Sequence, residues 1–175
     1  DMARKPASWH WSQDVHKIFR NIGIKQVAYV PDNGLAKLID LCNADRTIRS
    51  VVLTTEEEGV AMAAGAYLGG GKSVLLMQSS GVGNCINMLS LIAFARFPFV
   101  TFVSMRGEFG EQNPWQIAMG QAVRPSLESI GTLCLSVEQA EDVIPTADAA
   151  LGMAYKSQCG VAVLLSQKLL GAKAF

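Results

Sequence analysis

Three consecutive acids, Glu56, Glu57 and Glu58, stand directly ahead of a run of small and apolar residues, Gly59-Val60-Ala61-Met62-Ala63-Ala64-Gly65. Acids at a helix start have an ordinary explanation, because the helix dipole favours negative charge there. The alanines and glycines also permit close approach, so this helix start should sit against another element or subunit. A carboxylate held in such an apolar seam is the kind of group that relays protons. A second chemically suggestive segment is Gly81-Val82-Gly83-Asn84-Cys85-Ile86, which leaves an apolar run and opens a helical one. Backbone N–H groups at that start could receive an anionic group, and a plain structural turn is the alternative.

Several chemistries are removed by counting. His10 and His16 are the two histidines, both in the first helical segment and not on one helix face. A Ser-His-acid triad or a histidine-ligated metal would need histidine elsewhere, so both are read as surface residues and no metal site is expected. The stretch Ala66-Tyr67-Leu68-Gly69-Gly70-Gly71-Lys72-Ser73 nearly matches a phosphate loop, but it leaves a helix and enters a strand, the reverse of the required context. It reads as a helix-ending glycine turn. The Gly81 motif begins as GxGxxG, yet Ile86 stands in the third glycine's place and Thr101–Met105 holds no acid to meet a ribose. A dinucleotide-binding oxidoreductase domain is therefore an alternative lacking two of its marks. Cys42, Cys85, Cys134 and Cys159 lie irregularly in apolar stretches, as reduced, packed thiols do.

Alternating helices and strands must position these residues. Val15, Ile18, Phe19 and Ile22 share a helical face that ends at Gly23, with Ser12 as a possible cap. Strands are expected at Val27–Val30, Ser50–Leu53, Val74–Met77, Val100–Val103, Cys134–Ser136 and Val161–Leu165. Helices are expected around Leu35–Leu41, Glu56–Leu68, Asn84–Ala95 and Val137–Ser157, with Arg106–Asn113 a long polar loop. The strands are continuous apolar runs, the signature of strands covered on both faces by helical crossovers. The expected fold is a doubly wound α/β domain with a six-stranded, mainly parallel sheet and helices on both faces. Ligands of such sheets bind beyond the carboxyl ends of the strands, so Pro31–Gly34, Thr54–Glu58, Ser79–Asn84 and Ser104–Asn113 should line one edge.

The chain of 175 residues suits one domain spanning 1–175. Fifteen basic residues balance fifteen acidic ones, which leaves no surplus to attract nucleic acid. Only 17% of residues are charged, too few to cover much surface, which suggests that part of it meets another protein. No apolar run approaches the ~20 residues of a membrane span. Asp1–Pro6 is polar, without a targeting pattern, and the expected location is cytoplasmic.

Taken together, Glu56–Gly65, Lys72–Met77 and Gln78–Asn87 resemble the pyrimidine-binding domain of thiamine diphosphate enzymes. Val30-Pro31-Asp32, Met105-Arg106-Gly107-Glu108 and the stretch Asn113–Gly120 match in the right order, and the resemblance runs from Gly23 to Leu135. Within that family the chain is similar to the sulfopyruvate decarboxylases, as their α subunit, and to the phosphonopyruvate decarboxylases. The resemblance implies that one glutamate hydrogen-bonds the cofactor's pyrimidine at N1′. That bond favours the imino tautomer, whose 4′ nitrogen removes the thiazolium C2 proton, and a 2-oxo acid then loses CO₂. Matching Val60, Ala61, Ala63 and Gly65 gives the role to Glu56; aligning Tyr67 instead would give Glu57. By the same match Pro31, Gly81 and Val82 would lie against the cofactor, and Asp32 would face the reacting carbon.

Departures from the family shape the rest of the expectation. Larger members carry a histidine pair after the fourth strand; here Gln112, Asn113 and Gln116 occupy that loop. Arg106 would suit a sulfonate or phosphonate, with Gln116 beside the substrate, although Arg106 could equally pair with Glu108 or Glu111. Family members hold Mg²⁺ and the diphosphate in a second domain marked by GDG and NN, neither of which occurs in this sequence. The resemblance then implies half of an active site, completed by a β subunit that carries the diphosphate-binding domain and the Mg²⁺. The substrate would be a small anionic 2-oxo acid. A non-catalytic regulatory subunit of the same fold is a further alternative.

Overall fold

Each apolar run becomes a strand because both its faces are covered. The computed structural model describes residues 10–172, so Asp1–Pro6 lies outside the described residues. Along the chain run α1 (His10–Ile22), β1 (Ile24–Tyr29), α2 (Ala36–Ala44), β2 (Arg49–Val52), α3 (Glu56–Leu68), β3 (Lys72–Gln78) and α4 (Ser79–Ala95). Then follow β4 (Phe99–Ser104), α5 (Trp115–Ser129), β5 (Leu133–Val137), α6 (Ala140–Ser157), β6 (Gly160–Leu165) and α7 (Gln167–Leu170). The six strands form one sheet in the order β2-β1-β3-β4-β6-β5, and every pairing is parallel. The sheet is thus wholly, not mainly, parallel.

Burial follows position in the sheet. Every residue of central strands β4 and β6 is buried, whereas β2 and β5, at the edges, are partly exposed. On one face α1, α2 and α6 pack Phe19, Leu38 and Leu151 onto Val74, Phe102 and Val163. On the other, α3, α4 and α5 pack Val60, Leu89 and Leu127 onto Leu75, Val103 and Leu164. Gly59 brings α3 close to the sheet, since a Cβ there would press into Leu75 and Leu53.

Three helices differ from expectation, among them the short α7, which has no expected counterpart. Helix α4 begins at Ser79, directly after β3, so the glycines expected in a loop lie in its first turns. Helix α5 has no counterpart among the expected helices, because Gly120 and Pro125 interrupt its pattern. Gly120 has a packing reason: a Cβ there would run into the backbone of Arg106 and Gly107. The Gly69-Gly70-Gly71 turn does end α3, with Gly70 at φ +77°.

Gly59 and Gly65 on α3 should respond oppositely to substitution. Gly59→Val forces atoms into a filled core and should destabilise by about 1–3 kcal/mol. Gly65→Ala meets nothing within 4 Å and should stabilise by about 0.5–1 kcal/mol through helix propensity. Urea unfolding of the full chain checks both, and a stabilising Gly59→Val would contradict this packing.

Candidate active site

The sheet order reverses beside β1, whose neighbours are β2 and β3, and crevices at such switch points are where open α/β sheets bind ligands. The segments after β1, β2, β3 and β4 meet there.

The three acids at the start of α3 take three different positions. Glu58 caps the helix: its Oε2 accepts from the backbone N–H of Thr54 at 3.0 Å and of Thr55 at 3.4 Å. Glu57 is exposed to solvent. Glu56 is buried, with 8% exposure, and its Oε2 accepts from the Asn84 Nδ2 amide of α4 at 2.8 Å. Any Cβ at position 81 would overlap the Glu56 carboxyl group, so Gly81 is what admits that carboxyl group against α4. Beneath them burial, with help from the Glu56 and Glu57 charges, pushes the Cys85 thiol up to about 12, which keeps it an inert packing group.

Asp32 knots three strand ends together. Its Oδ2 accepts from Ser104 Oγ at 2.7 Å and from the Leu35 backbone N–H at 3.2 Å, and its Oδ1 accepts from Gln78 Nε2 at 3.0 Å. Gln78 Oε1 in turn accepts from Ser80 Oγ at 2.9 Å. Gln78 therefore sits between Asp32 and the α4 turn that holds Glu56.

Arg106 is committed within the chain. Its Nε and Nη2 donate to the two oxygens of Glu111 at 2.7 and 2.6 Å, one of the two pairings open to it from sequence. Glu111 also accepts from the backbone of Gly107 and Asn113 and from Gln167 Nε2. The Arg106 hydrogen bonds, aided by these others, hold the Glu111 carboxyl far below the usual carboxylate range, while Glu111 raises the Arg106 guanidinium further. Gly107, at φ +73°, lets this loop pass against the backbone of Gln116. Gln116 is half-buried, and its Oε1 has no hydrogen-bond partner among the described residues.

The expected residues thus fall into groups. Glu56, Gly81, Asp32 and Arg106 occupy one edge, and Pro31 is exposed beside Asp32. The Val82 side chain is wholly inside the core, because α4 already spans its position, so it offers a cofactor no apolar face. His16 is not a solvated surface residue: it lies 2.9 Å from Asp45, the C-cap of α2. Arg124 of α5, outside this edge, donates to Glu128, Ser136 and the Cys134 carbonyl. All four cysteines are free thiols. Asn84, Gln78 and Ser104 have no role assigned from the sequence, although Gln78 and Ser104 carry a signal as polar last residues of apolar strands.

This doubly wound sheet with a buried acid at its switch point belongs to a known class. The chain is a member of the pyruvate flavodoxin/ferredoxin oxidoreductase thiamine diphosphate-binding family, whose model matches residues 31–173. It is 34% identical to the sulfopyruvate decarboxylase subunit alpha of Methanococcus maripaludis, over 88% of this chain and 93% of that one. It is 37% identical to the phosphonopyruvate decarboxylase of Streptomyces viridochromogenes, over 74% of this chain and 33% of that larger protein. The fold is shared with a 2-oxoglutarate:ferredoxin oxidoreductase from Magnetococcus marinus at a TM-score of 0.73 and 21% identity, covering 91% of this chain and 29% of the other.

The Arg106–Glu111 pair fixes the β4–α5 loop, and its loss should show in stability. Because the folded value of Glu111 lies below its unfolded one, its contribution is complete above about pH 4.3 and is lost as the pH falls through the folded value. Glu111→Gln strands a largely buried guanidinium and should cost about 3–5 kcal/mol at neutral pH. Its stability should also fall less on acidification than that of the parent. Urea unfolding at neutral and acid pH measures both, and parallel pH curves would contradict the assignment.

Proposed function

We propose that this chain is the α subunit of a heteromeric thiamine diphosphate-dependent decarboxylase acting on 3-sulfopyruvate or 3-phosphonopyruvate. In this reading residues 1–175 form a single pyrimidine-binding domain. The observation that carries it is Glu56, a buried carboxylate admitted by Gly81 and given one side-chain donor by Asn84. Such a group fits the cofactor's pyrimidine, whose N1′ can share a proton with it. When bound, thiamine diphosphate supplies the carbon nucleophile and the electron sink for loss of CO₂.

The chain's own residues then have defined tasks. Glu56 holds a proton at the pyrimidine N1′, and its burial strengthens that hydrogen bond by excluding water. Asp32, fixed by Ser104, Gln78 and Leu35, faces the reacting carbon with a locked side chain. Pro31 and the Gly81 turn form the adjoining wall, and Gln116, with its unpartnered oxygen, borders the substrate side.

A β subunit supplies the diphosphate-binding domain and its Mg²⁺. The matched relative is itself named a subunit alpha, and this chain spans 93% of it. Exposed apolar side chains support the same reading: Phe94 is 91% exposed on α4, and Leu91 on the same helix and Leu68 at the end of α3 are exposed as well. A cytoplasmic location is part of the proposal; no helix of the described residues is long and apolar enough to cross a membrane.

Glu56→Gln in the assembled complex should lower decarboxylation roughly 10²–10⁴-fold, the usual worth of a positioned proton-transfer group, with assembly unchanged by gel filtration. Full activity of that variant would favour a non-catalytic subunit. Turnover of either acid by the isolated chain would contradict partner dependence.

A further inference from the structure

A cavity of about 80 Å³ is lined by Asp32 together with Ser12, Asn33, Lys37 and Arg106. Helices α1 and α2 pack on one face of the sheet and α3 and α4 on the other, so Asp32 stands at the seam between cavity and buried glutamate. The volume is several times the roughly 10–15 Å³ that one water needs, enough for a small tetrahedral group.

Its polar groups have donors to spare. Lys37, half-buried in the first turn of α2, makes no ion pair or side-chain hydrogen bond among the described residues. Arg106 spends its Nε–H and one Nη2–H on Glu111; of the five N–H donors of a guanidinium, those on Nη1 and the second on Nη2 stay available. The Asp32 oxygens that face this region are occupied by Ser104, Gln78 and the Leu35 N–H. The positive end of α2 adds to the field of Lys37.

We infer that this cavity is the subsite for the substrate's remote tetrahedral anion, a sulfonate or phosphonate, held between Lys37 and the uncommitted edge of Arg106. The inference deepens the decarboxylase reading and rests on it for the identity of the molecule that bears the anion. Lys37 is then a specificity residue: it selects acids with a second anionic group over those without one, while the 2-oxo end lies toward Asp32.

Two measurements test this. First, 3-sulfopropanoate, a non-reacting sulfonate, is titrated into the full chain and followed by backbone-amide NMR. Shifts are expected at Asn33, Gly34 and Lys37, and should be lost in Lys37→Met. Shifts confined to other regions, or undiminished in that variant, overturn the proposal. Second, the complex is assayed with 3-sulfopyruvate, 3-phosphonopyruvate and pyruvate. In Lys37→Met the selectivity in kcat/KM for the preferred dianionic acid over pyruvate should fall roughly tenfold to a hundredfold, and Lys37→Arg should restore part of it. An unchanged ratio overturns the proposal, and the parent's preference tells sulfonate from phosphonate. If the parent complex decarboxylates none of the three, the decarboxylase reading falls, while the titration still decides the cavity.

Discussion

A carboxylate kept out of water must be compensated, because burying a charge without partners costs several kcal/mol. Glu56 meets that demand through geometry that three other positions enforce. Gly59 lets α3 lie against the sheet, Gly81 leaves room for the carboxyl group beside α4, and Asn84 donates to it. A side chain at 81 would displace the acid, and a larger residue at 59 would lift the helix that carries it. The packing of α3 on α4 is therefore inseparable from the chemistry proposed for Glu56.

The rest of the edge is organised around the same need for fixed groups. Asp32 takes donors from the ends of β3 and β4 and from the turn into α2, so one side chain links three neighbouring segments. Arg106 and Glu111 clamp the loop after β4, and Gly120 lets α5 close over that loop's backbone. Rigid strands ending in short polar caps give a site whose rotamers are set before any ligand arrives, which is how preorganised sites save reorganisation on binding.

How much of this was legible in the sequence depends on the range of the interactions. Continuous apolar runs gave all six strands, and α3 falls on the expected Glu56–Leu68 span because acids and a glycine turn mark both its ends. Helix α4 starts earlier than expected because Gly81 and Gly83 read locally as a loop, while their tertiary role is to admit Glu56 and to pass Met119. Helix α5 is hidden in the sequence for a related reason: Gly120 and Pro125 lower local helix propensity, and packing against the Arg106–Gly107 backbone overrides it. Residue types marked the acids Glu56, Glu57 and Glu58 together, and only the family resemblance singled out Glu56 and brought in Asp32. The choice of Glu111 over Glu108 as the partner of Arg106 depends on how the loop folds back, which no local pattern encodes. The full burial of Val82 is likewise a matter of helix rotation rather than motif.

The central claim, that Glu56 and not its neighbours activates the cofactor, is tested most directly by deuterium exchange at the thiazolium C2 of thiamine diphosphate in the assembled complex. The account predicts that Glu56→Gln slows this exchange roughly 10²–10⁴-fold, while Glu57→Gln exchanges at the parent's rate. Parent-like exchange in Glu56→Gln, or slowing confined to Glu57→Gln, would contradict it.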